Sequence, residues 1–213
     1  MTEAQPLYCD TLLPSKTARS FFPKVPPRGR LVYVMGASGV GKDSLLEELR
    51  SIAPDLPLAY AVRHITRPAS DGGEKHIPLS RSRFERLAAQ GFFALHWASH
   101  GRLYGISSSS AAVLEQGLFL LVNGSRAAFP QALALFPDLL PVLVSAPVAV
   151  LRERLLKRGR ESGEELERRL NTADMRIPGA DRVADWIRIE NSGSLEEAAS
   201  TLEAQLRRRL PAV

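Results

Sequence analysis

The chain has 213 residues, 45% hydrophobic and 24% charged, which at roughly 150 residues per domain suits one globular domain with an appendage. Cys9 is the only cysteine, so a disulfide scaffold and a cysteine-type structural zinc site are both excluded. The net charge of +5 is arginine in character, since lysine occurs only at 16, 24, 42, 75 and 157, and guanidinium forks point to phosphate-bearing partners.

In chain order, residues 1–29 carry five prolines and end in Pro26-Pro27-Arg28-Gly29, a sequence that sustains neither helix nor ladder. They read as an N-terminal extension, and 30–213 as one domain. Apolar Leu31 to Met35 predicts a buried strand, and Leu45, Leu46 and Leu49 share one face of a helix over 42–52. A strand is predicted at 58–65. A helix capped at Ser80 or Ser82 runs to Gln90, where Gly91 ends it. Residues 92–98 and 103–106 form a hairpin around Gly101. Another helix starts in the serines 107–110 and stops at Gly117. Further strands are predicted at 118–122, 139–145 and 185–190. Helices fall from Ser125 (disturbed at Pro130), at 147–157, at 164–176 and from Ser194 to Arg209. Strands alternating with helices predict an α/β three-layer fold around a parallel sheet.

Gly36-Ala37-Ser38-Gly39-Val40-Gly41-Lys42 joins the first strand to the first helix. This is G-x-x-x-x-G-K in the setting the P-loop motif requires. Its glycines let backbone amides turn toward a phosphate, the helix N-terminus adds positive charge, and Lys42 reaches the β- and γ-phosphates. Residues 36–44 are therefore the candidate ATP site. The position usually held by Ser or Thr is Asp43, followed by Ser44. A carboxylate there suits Mg²⁺, directly or through water, and also complements the helix dipole as a first-turn acid. The sequence favours metal contact. Asn123 stands at the end of a buried strand where many P-loop enzymes carry an acid, so the carboxylate is expected to have moved across the site to Asp43.

Three further segments complete a pattern: Arg63 to Glu74 followed by Lys75 and His76, G-F-F-A-L-H-W-A-S-H-G-R-L-Y-G-I-S at 91–107, and the arginine-rich stretch at 152–170. With the P-loop they resemble the guanylate kinase family of nucleoside monophosphate kinases over roughly 30–205. The resemblance implies an acceptor subdomain at about 63–106 and a lid at about 154–169. Counting from Gly91 to Gly101, the family's base-reading glutamate falls on Leu95, and its second base-reading acid is absent from Leu120 to Arg126. A site that loses hydrogen-bonding groups for a base loses orders of magnitude in selectivity. Guanine is therefore a poor acceptor. Lys42-Asp43-Ser44, Phe93-Ala94-Leu95, Leu103 to Ile106 and Val122 to Arg126 are instead similar to the guanylate-kinase-like enzymes of phosphonate breakdown that phosphorylate ribose 1,5-bisphosphate. That likeness implies transfer from ATP, with Mg²⁺, to a sugar bisphosphate, giving 5-phosphoribosyl 1-diphosphate. The runner-up activities are a nucleoside monophosphate kinase and a binding module without catalysis. Retention of Lys42 and the lid arginines disfavours the module.

Within the resemblance, Arg63, Arg67 and Tyr104 are expected to grip acceptor phosphate, with Lys75 and His76 where the family places a phosphate-binding tyrosine. Arg158 and Arg169 match the family's lid arginines by spacing and are the candidate catalytic cations with Lys42, while Arg154 and Arg160 compete for that role. Glu74 is a candidate to hold a metal-bound water or to orient Arg67. Asn191 matches a strand-to-helix turn near adenine, and equally reads as the cap of the last helix. No apolar run approaches the roughly 18 residues of a membrane span, and residues 1–14 lack a signal-peptide pattern. With 7% aromatics there is no stacking platform for nucleic acid. A cytoplasmic protein bound to neither membrane nor nucleic acid is expected.

Overall fold

The structure is a computed structural model that describes residues 29–68, 75–158, 163–171 and 176–210, without the side chains of Arg158, Glu165 and Arg168. The expected extension up to residue 28 lies outside the described residues, as do Glu74 and Arg160.

Among the described residues, nine strands and seven α-helices follow one another: β1 (Leu31–Gly36), α1 (Lys42–Ile52), β2 (Leu58–Tyr60), β3 (His64–Ile65), β4 (Ile77–Pro78), α2 (Arg81–Ala89), β5 (Phe93–Ser99), β6 (Arg102–Ser107), α3 (Ser108–Ala111), β7 (Phe119–Asn123), α4 (Phe129–Leu135), β8 (Leu140–Ser145), α5 (Val148–Arg158), α6 (Glu164–Asn171), β9 (Ile187–Glu190) and α7 (Leu195–Arg207). Five strands form a sheet in the order β2-β7-β1-β8-β9, and four form a second sheet in the order β4-β3-β6-β5. β2 runs parallel to β7, and β8 parallel to β9. Continuous apolar runs suit such strands, because a parallel sheet is buried on both faces: Leu31–Met35, Leu120–Val122, Val142 and Val144 are at most 2% exposed.

The chain divides into two compact units. One holds Pro57–Val122, Ala132–Leu139 and the residues up to Val32; the other holds Tyr33–Leu56, Asn123–Gln131 and Leu140–Val213. The first contains the four-stranded sheet. Phe84 of α2 stacks on Phe93 of β5 at a centroid distance of 4.5 Å, in a cluster with His64, Phe92 and His96. His100 and Gly101 form a two-residue hairpin turn, both at positive φ, as the twist of the flanking strands favours. The second unit contains the glycine loop and the last helix. α7 opens with a reciprocal capping box between Ser194 and Glu197, and it packs on α1.

The strand expected at 185–190 begins at Ile187, and the helix expected over 164–176 is seen to Asn171, with 172–175 outside the described residues. Four larger differences set the structure apart from the sequence reading. The strand expected over 58–65 splits into β2 and β3, which belong to different sheets. β4 pairs parallel with β3 at Ile77 and Pro78 and was not expected. The helix expected from Ser125 begins at Phe129, so Pro130 sits in the first turn, where its missing N–H costs nothing. The helix from the serine run is one α-turn, continued as a 3-10 helix over Ala112–Gln116.

Candidate active site

The glycine loop between β1 and α1 is built by strain that only glycine relieves. Gly39 and Gly41 adopt φ of 80° and 88°, and Gly41 is the residue from which α1 starts. Val40 between them is fully buried. Lys42 Nζ donates to the carbonyls of Gly36 and Ala37, each at 3.0 Å, which holds the ammonium over the loop. Ser44 and Asp43 are exposed on the first turn of α1. Asp43 Oδ1 accepts a hydrogen bond from Asn123 Nδ2 at the end of β7.

Two groups brace the loop from behind. Asn191 is 2% exposed, and its Nδ2 donates to Val40 O at 2.8 Å. Its backbone N–H donates to Ser145 O, tying the ends of β9 and β8 together. Arg154 Nη1 donates to Asn191 O at 2.9 Å and to Val40 O at 3.4 Å. The structure thus gives Arg154, a competitor for the transition-state cation by sequence, two backbone carbonyls behind the loop. Charge on a helix face reads as solvated in a sequence, so nothing local signals this role.

Of the two family lid arginines, Arg169 reaches the loop: its Nη1 donates to Ser38 Oγ at 2.9 Å. The backbone of Arg158 ends α5, and its side chain lies outside the described residues. α5 and α6 are joined by a bidentate pair, Arg152 to Glu167 at 2.6 and 3.0 Å. Hydrogen bonds from Arg152 hold the Glu167 carboxyl below the usual glutamate range.

In the other unit, β5 and β6 align Trp97 with Tyr104 across the hairpin, and the rings stack 5.5 Å apart at 8°. The Arg63 guanidinium lies 5.4 Å above the Tyr104 ring, a cation–π contact that fixes its position. Arg67 Nη2 meets His76 Nδ1, and His76 Nε2 meets Arg67 O, both at 3.1 Å. A guanidinium only donates, so Nδ1 is the acceptor and Nε2 carries the proton. Arg63, Arg67, His76 and Tyr104 thus come together on neighbouring strands and their ends, while Lys75 is exposed. Leu95 is 2% exposed in β5, two residues from Trp97 and so on the same face. Trp97 is the participant the sequence reading did not assign. Its signal was the two-residue turn, from which counting outward pairs 97 with 104.

Among the described residues no three His, Cys, Asp or Glu side chains cluster to hold a metal. Mg²⁺ is commonly held by one or two carboxylates together with substrate phosphates and water. The single carboxylate of Asp43 beside the loop fits that donor set.

Strand, strained glycine loop, ammonium and arginine at the helix N-terminus define a P-loop phosphotransferase. A family model described as guanylate kinase matches residues 28–209. A ribose 1,5-bisphosphate phosphokinase of Desulfomicrobium baculatum is 47% identical over 81% of this chain and 91% of its own length. One from Chromobacterium violaceum is 45% identical over 84% and 94%. The crystal structure of guanylate kinase from Anaplasma phagocytophilum superposes with a TM-score of 0.65, covering 88% of this chain and 89% of that one at 17% identity, a likeness of fold. The chain belongs to the guanylate kinase family and, within it, to the ribose 1,5-bisphosphate phosphokinases. Among the described residues, no helix is long and apolar enough to cross a membrane.

Proposed function

We propose that this protein transfers the γ-phosphoryl group of ATP to ribose 1,5-bisphosphate, releasing ADP and 5-phosphoribosyl 1-diphosphate. The observation that carries the reading is the composition of the acceptor strands. Leu95, buried and apolar, stands where the family reads a base, while Arg63, Arg67 and Tyr104 supply cations and a hydroxyl for phosphate and His76 holds Arg67. A base cannot be selected without acceptors or donors for it, whereas a bisphosphate is recognised by charge-assisted hydrogen bonds. The names of relatives at 45–47% identity support the same reading.

The chemistry asks for positioning and charge stabilisation. An oxygen of the sugar's 1-phosphate forms the new bond to the γ-phosphorus, and the bond from that phosphorus to the β-phosphate bridging oxygen breaks as ADP leaves. Arg63 and Arg67 hold the acceptor's two phosphates, the 5-phosphate serving as the anchor, and Tyr104 orients the acceptor by its hydroxyl. His76 keeps Arg67 in place through Nδ1. The loop amides of 36–44 and Lys42 hold the β- and γ-phosphates. Arg169, already against Ser38 of the loop, stabilises charge on the transferring group together with Arg158. Asp43 would hold Mg²⁺ together with oxygens of the nucleotide, and the ion would supply charge neutralisation when bound. Asn191 serves the nucleotide by fixing the loop backbone at Val40.

The test is ADP release measured with ribose 1,5-bisphosphate, ribose 5-phosphate, GMP and AMP as acceptors. The bisphosphate is expected to give a kcat/KM at least about 10³ above either nucleotide, the scale on which a missing polar reader discriminates. GMP turnover equal to that of the bisphosphate would overturn the reading.

A further inference from the structure

Tyr104 is partly exposed on β6, in a row that crosses three strands: Ile65 of β3 and Trp97 of β5 stand directly opposite it on either side. Its backbone is pinned before and after the ring. Thr66 N donates to Leu103 O at 3.1 Å, and Leu103 N donates to Thr66 Oγ1 at 2.8 Å. Gly105 is paired with both His64 and His96, and a Cβ there would come within 2.6 Å of the Phe93 ring. A pinned backbone fixes the root of a side chain and leaves its torsions to be set by what the ring meets. Trp97 lies 5.5 Å from the Tyr104 ring at 8°, and the Arg63 guanidinium lies 5.4 Å over the same ring. Since β3 and β5 flank β6, the cation and the indole come to the ring from opposite sides. Both contacts are made to the ring, not to the hydroxyl. Trp97 is 7% exposed, with Leu95 and Ile106 in the next row of the same face at 2% and 1%. An indole so enclosed has little surface to offer a substrate and acts through the ring it supports.

We propose that Trp97 is a positioning residue for the acceptor: by backing the Tyr104 ring it holds the Tyr104 hydroxyl and the Arg63 guanidinium in place on the acceptor sheet. The inference rests on Arg63 and Tyr104 gripping the acceptor, as proposed above. Arg63 has a further partner besides the ring, so the effect of Trp97 runs mainly through Tyr104.

The experiment measures kcat and KM for ribose 1,5-bisphosphate and for ATP. The proteins are wild type, Trp97→Met, Trp97→Phe, Tyr104→Leu and the double variant of Trp97→Met with Tyr104→Leu. Methionine fills an apolar gap without a ring, and phenylalanine restores one. Trp97→Met is expected to raise the acceptor KM about 2- to 12-fold, the range set by the strength of an aromatic pair, with the KM for ATP unchanged. Trp97→Phe is expected to recover most of that loss. In the Tyr104→Leu background Trp97→Met should add nothing, as befits coupled groups. A merely structural role would move both KM values together and would persist without the Tyr104 ring. Wild-type acceptor KM in Trp97→Met overturns the inference, as does an equal loss in the Tyr104→Leu background or no rescue by phenylalanine. Should the methionine variant fold poorly by circular dichroism, Trp97 emission is read in a Trp186→Phe protein, since the chain has two tryptophans. That emission should change on titration with ribose 1,5-bisphosphate and stay still once Tyr104→Leu is added; no response with Tyr104 present overturns the inference. Wild-type kinetics in Tyr104→Leu would overturn the assignment of Tyr104, and a wild-type protein that leaves ribose 1,5-bisphosphate unphosphorylated would overturn the function itself, so the failures are told apart.

Discussion

Alanine at Gly41 and alanine at Gly39 probe the loop in unequal ways. Both residues are in the left-handed region, at φ of 88° and 80°, and an L side chain held there costs about 1–2 kcal/mol. At Gly39 the added Cβ meets the tip of Leu155 at 2.8 Å, a flexible side chain that can swing aside. At Gly41 it comes within 2.6 Å of Asn191 Nδ2. That amide is 2% exposed and committed to Val40 O at 2.8 Å. Displacing it strands a buried donor, at a further cost of about 1–3 kcal/mol. Gly39→Ala is therefore expected to lose about 1–2 kcal/mol and Gly41→Ala about 2–5 kcal/mol. The assay is equilibrium urea unfolding of both variants beside wild type, with titration of a fluorescent ATP analogue. The added loss at Gly41 corresponds to roughly 5- to 150-fold if it appears in nucleotide affinity. Equal losses at the two glycines, or a larger one at Gly39, would refute the role given to Asn191 as a brace.

Arg169→Ala is expected to lower single-turnover kcat by about 10³ with less than a tenfold change in ATP KM, since an arginine of this kind acts on the transition state; an unchanged rate would remove it from the catalytic group. Leu95→Glu would bury a carboxylate where only 2% of the residue is exposed, at a cost of about 3–5 kcal/mol, while Leu95→Met should stay within about 1.5 kcal/mol; thermal unfolding of the pair tests this. The Glu167 carboxyl is lowered by hydrogen bonding from Arg152, so the pair's contribution is complete above the ordinary glutamate pKa and fades as pH falls through the lower folded value. Carbon-13 titration of Glu167 should show that depression, and Arg152→Ala should abolish it.

What could be read from the chain follows the range of the interactions involved. The glycine loop was legible because its strain is written in the spacing of Gly36, Gly39 and Gly41 between an apolar strand and a helix. The last helix was legible because Ser194 and Glu197 cap it locally. Leu95 could be placed because the hairpin around Gly101 keeps its register. The splitting of 58–65 was not legible, since Tyr60 and Ile65 are both buried and only tertiary pairing sends them to different sheets. β4, two residues long and ending in proline, carries no periodicity at all. Asn123 and Asp43 are 80 residues apart; the sequence suggested that an acid had moved, and only the fold brings donor and acceptor into contact. Arg154 read as one of several lid cations because a helix-face charge bonded to backbone carbonyls has no sequence signature.

Phosphorus NMR of the product formed from ATP and ribose 1,5-bisphosphate tests the central claim most directly. A new pair of coupled diphosphate resonances on the anomeric carbon, with the 5-phosphate signal retained, is the expected result. No such pair, together with rapid conversion of GMP to GDP by the same preparation, would contradict the account.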